Sequence, residues 1–226
     1  MSQSSPSIAP RRRVNETRPE PFVMPQWAIA FIRPILGLFS RLFWRTRYSG
    51  MEHIPQEGGV IIAANHQTYL DPVWVALPIR REIRYLAWSE SFGWPVIGRI
   101  IGWLGAWPLQ VEKSDPTAIR RTIQMLKNNG AVVIFPEGGR CPADGTMSRF
   151  KNGAVRMALE ANVPILPVTI RGGHRAWPKG YRLPRFARVE IIYHPLLQPT
   201  PQEGEDARLC ARRETNHLAE IIASAL

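Results

Sequence analysis

The chain has 226 residues, 45% of them hydrophobic and 9% aromatic, a size and composition typical of one folded domain rather than of a disordered chain. Lysine and arginine (29 residues) outnumber aspartate and glutamate (18) and give a net charge of +11. Such an excess favours a polyanionic partner: nucleic acid, an anionic membrane surface or a phosphorylated substrate. The two cysteines, Cys141 and Cys210, show neither a disulfide framework nor a metal-ligand spacing.

Residues 1–24 are predicted to form a disordered basic arm. They contain four prolines, the three consecutive arginines of 11–13 and few large apolar groups, and they lack the apolar core of a signal peptide. Two interpretations of this arm are equally compatible with its composition: a solvated tail without a role, and a tether to a membrane. No run in the chain reaches the ~18 uncharged apolar residues of a membrane-spanning helix, so we expect no such helix.

Residues 25–49 are predicted to be amphipathic helices that lie in a membrane interface. A broad apolar side faces a narrow basic strip, and further arginines follow. Pro34 is expected to break or kink the run and to leave two short helices. The pattern is typical of a helix pair at the headgroup level of an anionic bilayer, but it also fits a helix that covers the protein core. The apolar side comprises Trp27, Phe31, Ile35, Leu38 and Leu42.

A histidine and an aspartate follow the first apolar strand. The run 59–64 predicts a buried strand, and Pro72 opens a helix. His66 precedes Asp71 by five residues, so Asp71 can accept a hydrogen bond from one imidazole nitrogen, set the tautomer and leave the other nitrogen free to take a proton. The spacing alone is also explained by a loop histidine and a helix-capping aspartate.

The remaining elements alternate between strands and helices. The tryptophan-rich segment 92–107 is expected to pack in the core, to line a channel for a long apolar substrate or to touch a membrane. Pro167 is expected to place its strand at a sheet edge or a bulge. The alternation predicts an α/β fold, with a single domain at 50–226 whose mostly parallel central sheet is flanked by helices. Further predicted strands are 84–87, 131–135, 165–170 and 188–193, and predicted helices start at 114–116 or span 152–162 and 206–225.

A glycine-rich turn comes at the end of the strand 131–135. It reads FPEGGR over residues 135–140. Glycines let backbone N–H groups approach an anion closely, and Arg140 can bind a phosphate through two parallel hydrogen bonds. A simple turn with a surface arginine is the alternative interpretation.

Two blocks of sequence together carry a resemblance. NHxxxxD at 65–71, followed by FPEGxR at 135–140, resembles the glycerolipid acyltransferase superfamily. Within it, the chain is most similar to the bacterial 1-acylglycerol-3-phosphate (lysophosphatidate) acyltransferases. VPILPV at 163–168 resembles the fourth block of that family. The resemblance covers 50–171.

Two positions depart from the family pattern. Gly139 stands where the third block usually has threonine, which is a mild change. The second block starts here at Gly105, and the position of its phosphate-binding arginine falls on Val111. Lys113 can substitute, but a lysine is a point charge rather than a planar fork. The departure leaves the acceptor headgroup open.

The resemblance implies an O-acyltransferase that moves a fatty acyl group from acyl-CoA or acyl carrier protein to the free hydroxyl of 1-acylglycerol-3-phosphate, giving phosphatidic acid. It implies His66 as the general base, oriented by Asp71, with oxyanion donors among the backbone N–H groups of 65–67. Glu137 is expected to hydrogen-bond the glycerol hydroxyls or to brace Arg140. No metal and no cofactor besides the acyl donor is expected. The predicted substrate-binding residues are Asn65, Lys113, Glu137, Gly138, Arg140 and Lys151.

The alternatives are another acceptor or another class of protein. Acylation of another lysophospholipid or of a lyso-aminolipid fits the departure at Val111. A non-catalytic, basic membrane-binding module fits the net charge. Nucleic acid is not expected as a partner, because the arginines are scattered and no helix-turn-helix or RNA-binding signature occurs. The expected partners are anionic membrane lipids, the lysophospholipid acceptor and acyl carrier protein as a donor, at a peripheral or monotopic position on the cytoplasmic face of the cell membrane.

Overall fold

Seven strands form one sheet in the order β1-β7-β6-β2-β5-β3-β4 in the computed structural model, which describes residues 24–93, 97–103, 105–109 and 115–226. Five of the six described strand pairs are parallel, and β6 and β7 run antiparallel. The predicted α/β class with a mostly parallel sheet is therefore confirmed. The strands are β1 (Arg47–Ser49), β2 (Val60–Ala64), β3 (Ile83–Trp88), β4 (Ala106–Leu109), β5 (Ala131–Ile134), β6 (Ile165–Arg171) and β7 (Glu190–Tyr193).

Helices cover both faces of this sheet. Trp44 and Trp74 pack against one face, whereas Leu126, Ala158 and Leu218 pack against the other. The two faces thus have separate apolar cores, as expected for a central sheet between helical layers. The helices are α1 (Gln26–Trp44), α2 (Asp71–Ala76), α3 (Ile97–Trp103), α4 (Pro116–Lys127), α5 (Gly153–Ala161), α6 (Gly173–Ala176) and α7 (Ala207–Ala223).

The centre of the sheet is β2, which is apolar and buried along its whole length. It pairs in parallel with β5 on one side, where Ile62 faces Val133, and with β6 on the other, where Ile62 faces Leu166. Continuous apolar runs are typical of strands that are covered on both faces. Since β2, β5 and β6 point the same way, the loops that follow them meet at one edge of the sheet.

Helix α1 runs unbroken from Gln26 to Trp44, so the predicted pair of short helices was wrong. Pro34 lies inside the helix with its ring exposed, so it costs the helix one backbone hydrogen bond without ending it. The expectation of no helix suited to a membrane span also needs correction. The segment Trp27–Trp44 is long and apolar enough to cross a membrane by length and composition, and most of it is not buried in the protein.

Strand β6 lies inside the sheet, between β7 and β2, so the edge position expected from Pro167 was wrong. The bulge alternative fits. Val168 faces Tyr193 and Ile165 faces Leu197, so the five residues 193–197 lie opposite the four residues 165–168 of β6. The missing N–H of Pro167 falls at this irregular place, where the carbonyl of Pro167 still accepts from the backbone N–H of His194.

The segment 92–107 supplies α3 and β4, neither of which the sequence predicted. Trp107 is buried in β4, which confirms the core interpretation for this residue, whereas Trp103 is exposed. The short strand β1 and the four-residue helix α6 were also missed. Val111 and Lys113, like residues 1–23, lie outside the described residues.

Candidate active site

The predicted catalytic loop lies at the edge of the sheet where β2, β5 and β6 end. His66 is the second residue after β2, and Asp71 is the first residue of α2. The glycine-rich turn follows β5 and packs against the same loop. The crevice outside the carboxyl ends of parallel strands is the usual ligand site of open α/β sheets.

His66 and Asp71 form the predicted pair. His66 Nδ1 lies 2.9 Å from Asp71 Oδ2; the aspartate side chain is buried, and that of the histidine is 18% exposed. A carboxylate at Nδ1 favours the tautomer that carries its proton there, with Nδ1–H donating to Asp71. In the described part of the chain Nε2 has no hydrogen-bond partner. Nε2 is therefore the nitrogen that can accept a proton.

Asp71 is held by the backbone that precedes it. Its Oδ2 atom also accepts from the N–H groups of Gln67 (2.5 Å) and Thr68 (2.8 Å), and Oδ1 accepts from the Thr68 hydroxyl (3.0 Å). The Thr68 hydroxyl oxygen in turn accepts from the N–H of Leu70. These bonds fix the carboxylate before any substrate arrives, so the imidazole has one orientation to adopt.

Glu137 binds the catalytic loop rather than Arg140. Its Oε1 accepts from the backbone N–H of His66 (2.6 Å), and its Oε2 accepts from that of Ser148 (2.7 Å). Burial raises the pKa of this carboxyl group, and the two amide hydrogen bonds oppose the rise. Both oxygens thus bind backbone amides instead of the Arg140 guanidinium that one prediction gave them, and the other prediction, hydrogen bonds to the glycerol hydroxyls, stays a prediction.

The expected oxyanion donors are also occupied. The amide of His66 donates to Glu137 and the amide of Gln67 donates to Asp71. Neither is free to bind an oxyanion, so the placement of the oxyanion hole at 65–67 was wrong for these two groups. The carbonyl of His66 accepts from the N–H of Cys141 at 2.7 Å, which ties the glycine-rich turn to the catalytic loop from the other side.

Asn65 joins two strands. Its amide nitrogen donates to the carbonyl of Ile170 (2.9 Å), and its Oδ1 accepts from the N–H of the same residue (2.7 Å). The side chain is buried and bridges the ends of β2 and β6. The structure thus gives this side chain a structural role, and its contact with substrate stays a prediction.

Arg140 lies over an aromatic ring beside the catalytic loop. Its guanidinium carbon is 3.6 Å from the centroid of Tyr69, and the Tyr69 ring meets Trp177 edge to face at 5.6 Å. A cation held over an aromatic face keeps its charge and its remaining N–H donors. Phe135, at the start of the same turn, stacks on His66 with 4.2 Å between ring centroids.

The other predicted binding residues are placed differently. Gly138 is exposed and has a positive φ of 73°, a conformation that favours glycine in this turn. The side chain of Lys151 is exposed, and its backbone N–H donates to Pro136 in the turn. Both belong to the loop of Arg140, whereas Lys113 lies outside the described residues.

Three supporting residues were missed: Thr68, Tyr69 and Phe135. The signal for Thr68 was present, because TYLD at 68–71 follows the capping-box pattern in which a threonine is followed three residues later by an acid. The two aromatic contacts join separate loops and have no local signal. Cys141 is buried, and burial raises its pKa to about 11, so its thiol stays protonated.

A basic cleft of about 430 Å³ borders the catalytic loop at Gln67. The side-chain oxygen of Gln67 accepts from the N–H of His174 at its edge. Arg171, Arg175 and Arg188 line the cleft, and Arg171 pairs with Glu190. Within the described ranges no group of three His, Cys, Asp or Glu residues is placed to hold a metal ion. Metal-free chemistry stays a prediction.

The profile of the Acyltransferase family matches residues 45–171, more than half of the chain. The chain belongs to this acyltransferase family. The match includes the His66 loop, the turn of Arg140 and β6, which are the blocks that carry the resemblance in sequence. The acyltransferase fold thus brings together at one sheet edge what the chain separates by about seventy residues.

Two relatives of this chain carry the same activity in their names. The chloroplastic 1-acyl-sn-glycerol-3-phosphate acyltransferase BAT2 of Brassica napus is 28% identical over 205 residues, which are 88% of this chain and 55% of that protein. The 1-acyl-sn-glycerol-3-phosphate acyltransferase of Pseudomonas aeruginosa is 27% identical and covers 90% of this chain and 76% of its own length. This chain spans about half the length of the first curated relatives that it matches.

A solved structure has the same fold. The 1-acyl-sn-glycerophosphate (LPA) acyltransferase PlsC of Thermotoga maritima matches with a TM-score of 0.69 and 26% identity, over 88% of this chain and 79% of that one. The resemblance to the 1-acylglycerol-3-phosphate acyltransferases is therefore confirmed.

Proposed function

We propose that this acyltransferase transfers a fatty acyl group from a thioester, acyl-CoA or acyl carrier protein, to the free hydroxyl of 1-acylglycerol-3-phosphate. The observation that carries the proposal is the His66–Asp71 pair at the sheet edge, with Nδ1 held by a buried carboxylate and the imidazole side chain partly exposed. A non-catalytic module would have no use for a carboxylate with four donors that orients a partly exposed imidazole.

An alcohol is a poor nucleophile at neutral pH and needs a positioned base. Nε2 of His66 takes the hydroxyl proton as the hydroxyl oxygen bonds to the thioester carbonyl carbon. The carbon–sulfur bond then breaks, and the leaving sulfur takes the proton back from His66. Asp71 stabilises the imidazolium between these steps by its negative charge. The reaction forms no covalent bond to the enzyme and consumes no cofactor.

Positive charge beside the catalytic loop supports a phosphorylated acceptor. Arg140 is supported on Tyr69 close to His66, and the side chain of Lys151 is exposed in the same loop. The arginine cleft at Gln67 extends this charge along the sheet edge. Arg140 holds the acceptor phosphate in the proposal, with Lys151 and Lys113 assisting. The valine at position 111 favours one alternative, an acceptor with a different headgroup.

Helix α1 supports a place at the membrane. Its apolar side is exposed, and Trp27 alone has 76% of its surface accessible. An exposed apolar side of this length needs a partner, and Arg33 and Arg41 suit anionic lipid headgroups. We place α1 either in the membrane interface or across the bilayer. The catalytic domain then lies on the cytoplasmic face, where it meets lysophospholipid acceptors.

The deciding experiment measures thiol release by the purified protein from palmitoyl-CoA and from palmitoyl-acyl carrier protein. Acceptors are 1-acylglycerol-3-phosphate, other lysophospholipids, a lyso-aminolipid or none. His66→Ala should abolish release, whereas the matched His217→Ala, an exposed histidine on α7, should leave it unchanged. Retained turnover in His66→Ala would remove His66 as the base. Release only with another acceptor would keep the chemistry and change the substrate.

The phosphate site is tested with a second pair of variants. Arg140→Ala should raise the KM for 1-acylglycerol-3-phosphate with little change in the KM for the acyl donor. Arg208→Ala, an exposed arginine of α7, is the control. An acceptor KM that does not move in Arg140→Ala would exclude Arg140 from the phosphate site.

A further inference from the structure

A loop beside α1 exposes large apolar side chains. The segment 177–188, here named the arginine loop, connects α6 with the strand β7. Leu183 and Phe186 have 75% and 77% of their surfaces accessible, and Tyr181 is half exposed. Exposure of such large apolar side chains to water is unfavourable, so we expect a partner that covers them.

The arginine loop continues the exposed surface of α1. The ring of Phe186 stacks on Phe43 of α1 with 4.1 Å between centroids. The indole N–H of Trp44 donates to the carbonyl of Arg185, and the N–H of Val189 donates to the carbonyl of Trp44. Direct stacking and these two hydrogen bonds fix the loop against the end of α1. A surface that receives α1 therefore also meets Phe186.

The charge of the arginine loop identifies the partner. The loop holds four cationic residues and no acidic one. Its cations are exposed and alternate with the exposed apolar side chains, and the guanidinium of Arg185 lies 3.9 Å from the ring centroid of Tyr181. Apolar groups that insert among acyl chains, with cations beside them at the level of the phosphates, match an anionic bilayer surface. The four are Lys179, Arg182, Arg185 and Arg188.

The same loop reaches the candidate active site. At its start, the ring of Trp177 contacts Tyr69, which supports Arg140. The indole N–H of Trp177 donates to the carbonyl of Tyr181, so the exposed part of the loop is tied to this contact. The loop thus runs from the rim of the active site to the helix that we place at the membrane.

We infer that the arginine loop is a second membrane-contact element, which inserts Leu183 and Phe186 into the interface of an anionic bilayer next to α1. The inference rests on the membrane association proposed for α1. The loop then holds the rim of the active site, at Tyr69, close to the lipid surface that supplies the acceptor.

A fluorescence experiment tests this. Leu183→Cys is labelled with an environment-sensitive fluorophore; Cys141 and Cys210 are buried, so the new thiol is the accessible one among the described residues. The probes are vesicles of phosphatidylcholine with and without phosphatidylglycerol. We expect a blue shift of emission at position 183 with phosphatidylglycerol vesicles. Leu209→Cys, 54% exposed on α7, is the matched control and should not shift.

Vesicle sedimentation supplies the second readout. Leu183→Ser combined with Phe186→Ser should weaken binding to phosphatidylglycerol vesicles by about 100-fold, since each inserted side chain contributes on the order of one decade of affinity. Leu209→Ser should bind like the unchanged chain. Two outcomes overturn the inference and leave α1 as the membrane contact. Either the protein binds vesicles without a shift of the fluorophore at position 183, or the fluorophores at positions 183 and 209 shift equally. No vesicle binding by the unchanged chain overturns both proposals for the membrane.

Discussion

Two substitutions of Asp71 should separate the stability of the catalytic loop from its chemistry. In Asp71→Asn the side-chain oxygen can take the place of Oδ2 and keep the bonds from His66, Gln67 and Thr68. The new NH₂ group then replaces Oδ1 and donates to the Thr68 hydroxyl, which can turn to accept. The tautomer and the loop survive, and the negative charge is lost. Asp71→Ala removes the acceptor for every one of these donors.

The two variants should differ in their free energy of unfolding. A buried donor left without a partner costs about 1–3 kcal/mol. The amides of Gln67 and Thr68 both lie in the buried loop, so Asp71→Ala should lose roughly 2–6 kcal/mol, a large part of the stability of an ordinary domain. Asp71→Asn keeps an acceptor for both amides and should retain at least about 2 kcal/mol more than the alanine variant.

The activity of Asp71→Asn should fall although its loop is intact. Two opposite charges 4 Å apart attract by about 4 kcal/mol at an effective dielectric constant near 20, and this attraction is present only while His66 carries the proton. Its loss lowers the rate of thiol release by about 10³-fold, since each 1.36 kcal/mol is tenfold in rate. The KM values should change little, because the substrates do not touch Asp71.

Urea unfolding and the thiol-release assay measure the two effects on the same preparations. Asp71→Ala with the unfolding free energy of the unchanged chain would mean that the hydrogen bonds to Asp71 do not hold the loop. Asp71→Asn with full activity would mean that no charge is needed beside His66, and the assignment of the base would be wrong.

Three smaller predictions concern the surroundings of the site. Tyr69→Leu should raise the acceptor KM by about 2–5-fold through loss of the cation–π support of Arg140, whereas Tyr69→Phe should not; equal effects would point to the Tyr69 hydroxyl instead. Cys141 and Cys210 should react with a thiol reagent at pH 8 only after unfolding, because burial raises both pKa values; rapid labelling of the native protein would contradict this. Burial, and secondarily the neighbouring arginine, lowers the pKa of His174, so the unfolded chain binds the proton first as the pH falls from about 7 to 5 and the free energy of unfolding decreases. His174→Gln should make this decrease shallower, and an unchanged slope would refute it.

The sequence predicted the inner part of the fold because local signals there agree. β2 and β5 are continuous apolar runs, and α4 begins with Asp115 as an N-cap whose side chain accepts from two backbone amides, followed by Pro116. Of the elements that were missed, α3 and α6 are short helices, and β1 and β4 are strands that form by pairing at the sheet edges. Their strand character depends on distant neighbours, which no local pattern reports.

Part of the candidate site was predicted from the sequence: the His66–Asp71 pair was, and the role of Glu137 was not. His66 and Asp71 stand close enough in the chain for their spacing to predict their contact. The role of Glu137 could not be predicted, because its partners are the amide of His66 seventy-one residues away and that of Ser148. From the sequence alone, a carboxylate that binds backbone amides of distant loops cannot be distinguished from one that binds a ligand.

Helix α2 is six residues long and begins at Asp71, and its Trp74 meets Trp44 at the end of α1 with 5.4 Å between ring centroids. One residue inserted between Asp71 and Trp74 would turn the indole by about 100° away from Trp44, since a helix has 3.6 residues per turn. The angle about the helix axis between Asp71 and Trp74 therefore permits no insertion or deletion between these two residues. A chimaera that exchanges the first 49 residues between members of this family should work only where the incoming helix ends on an aromatic residue in the position of Trp44.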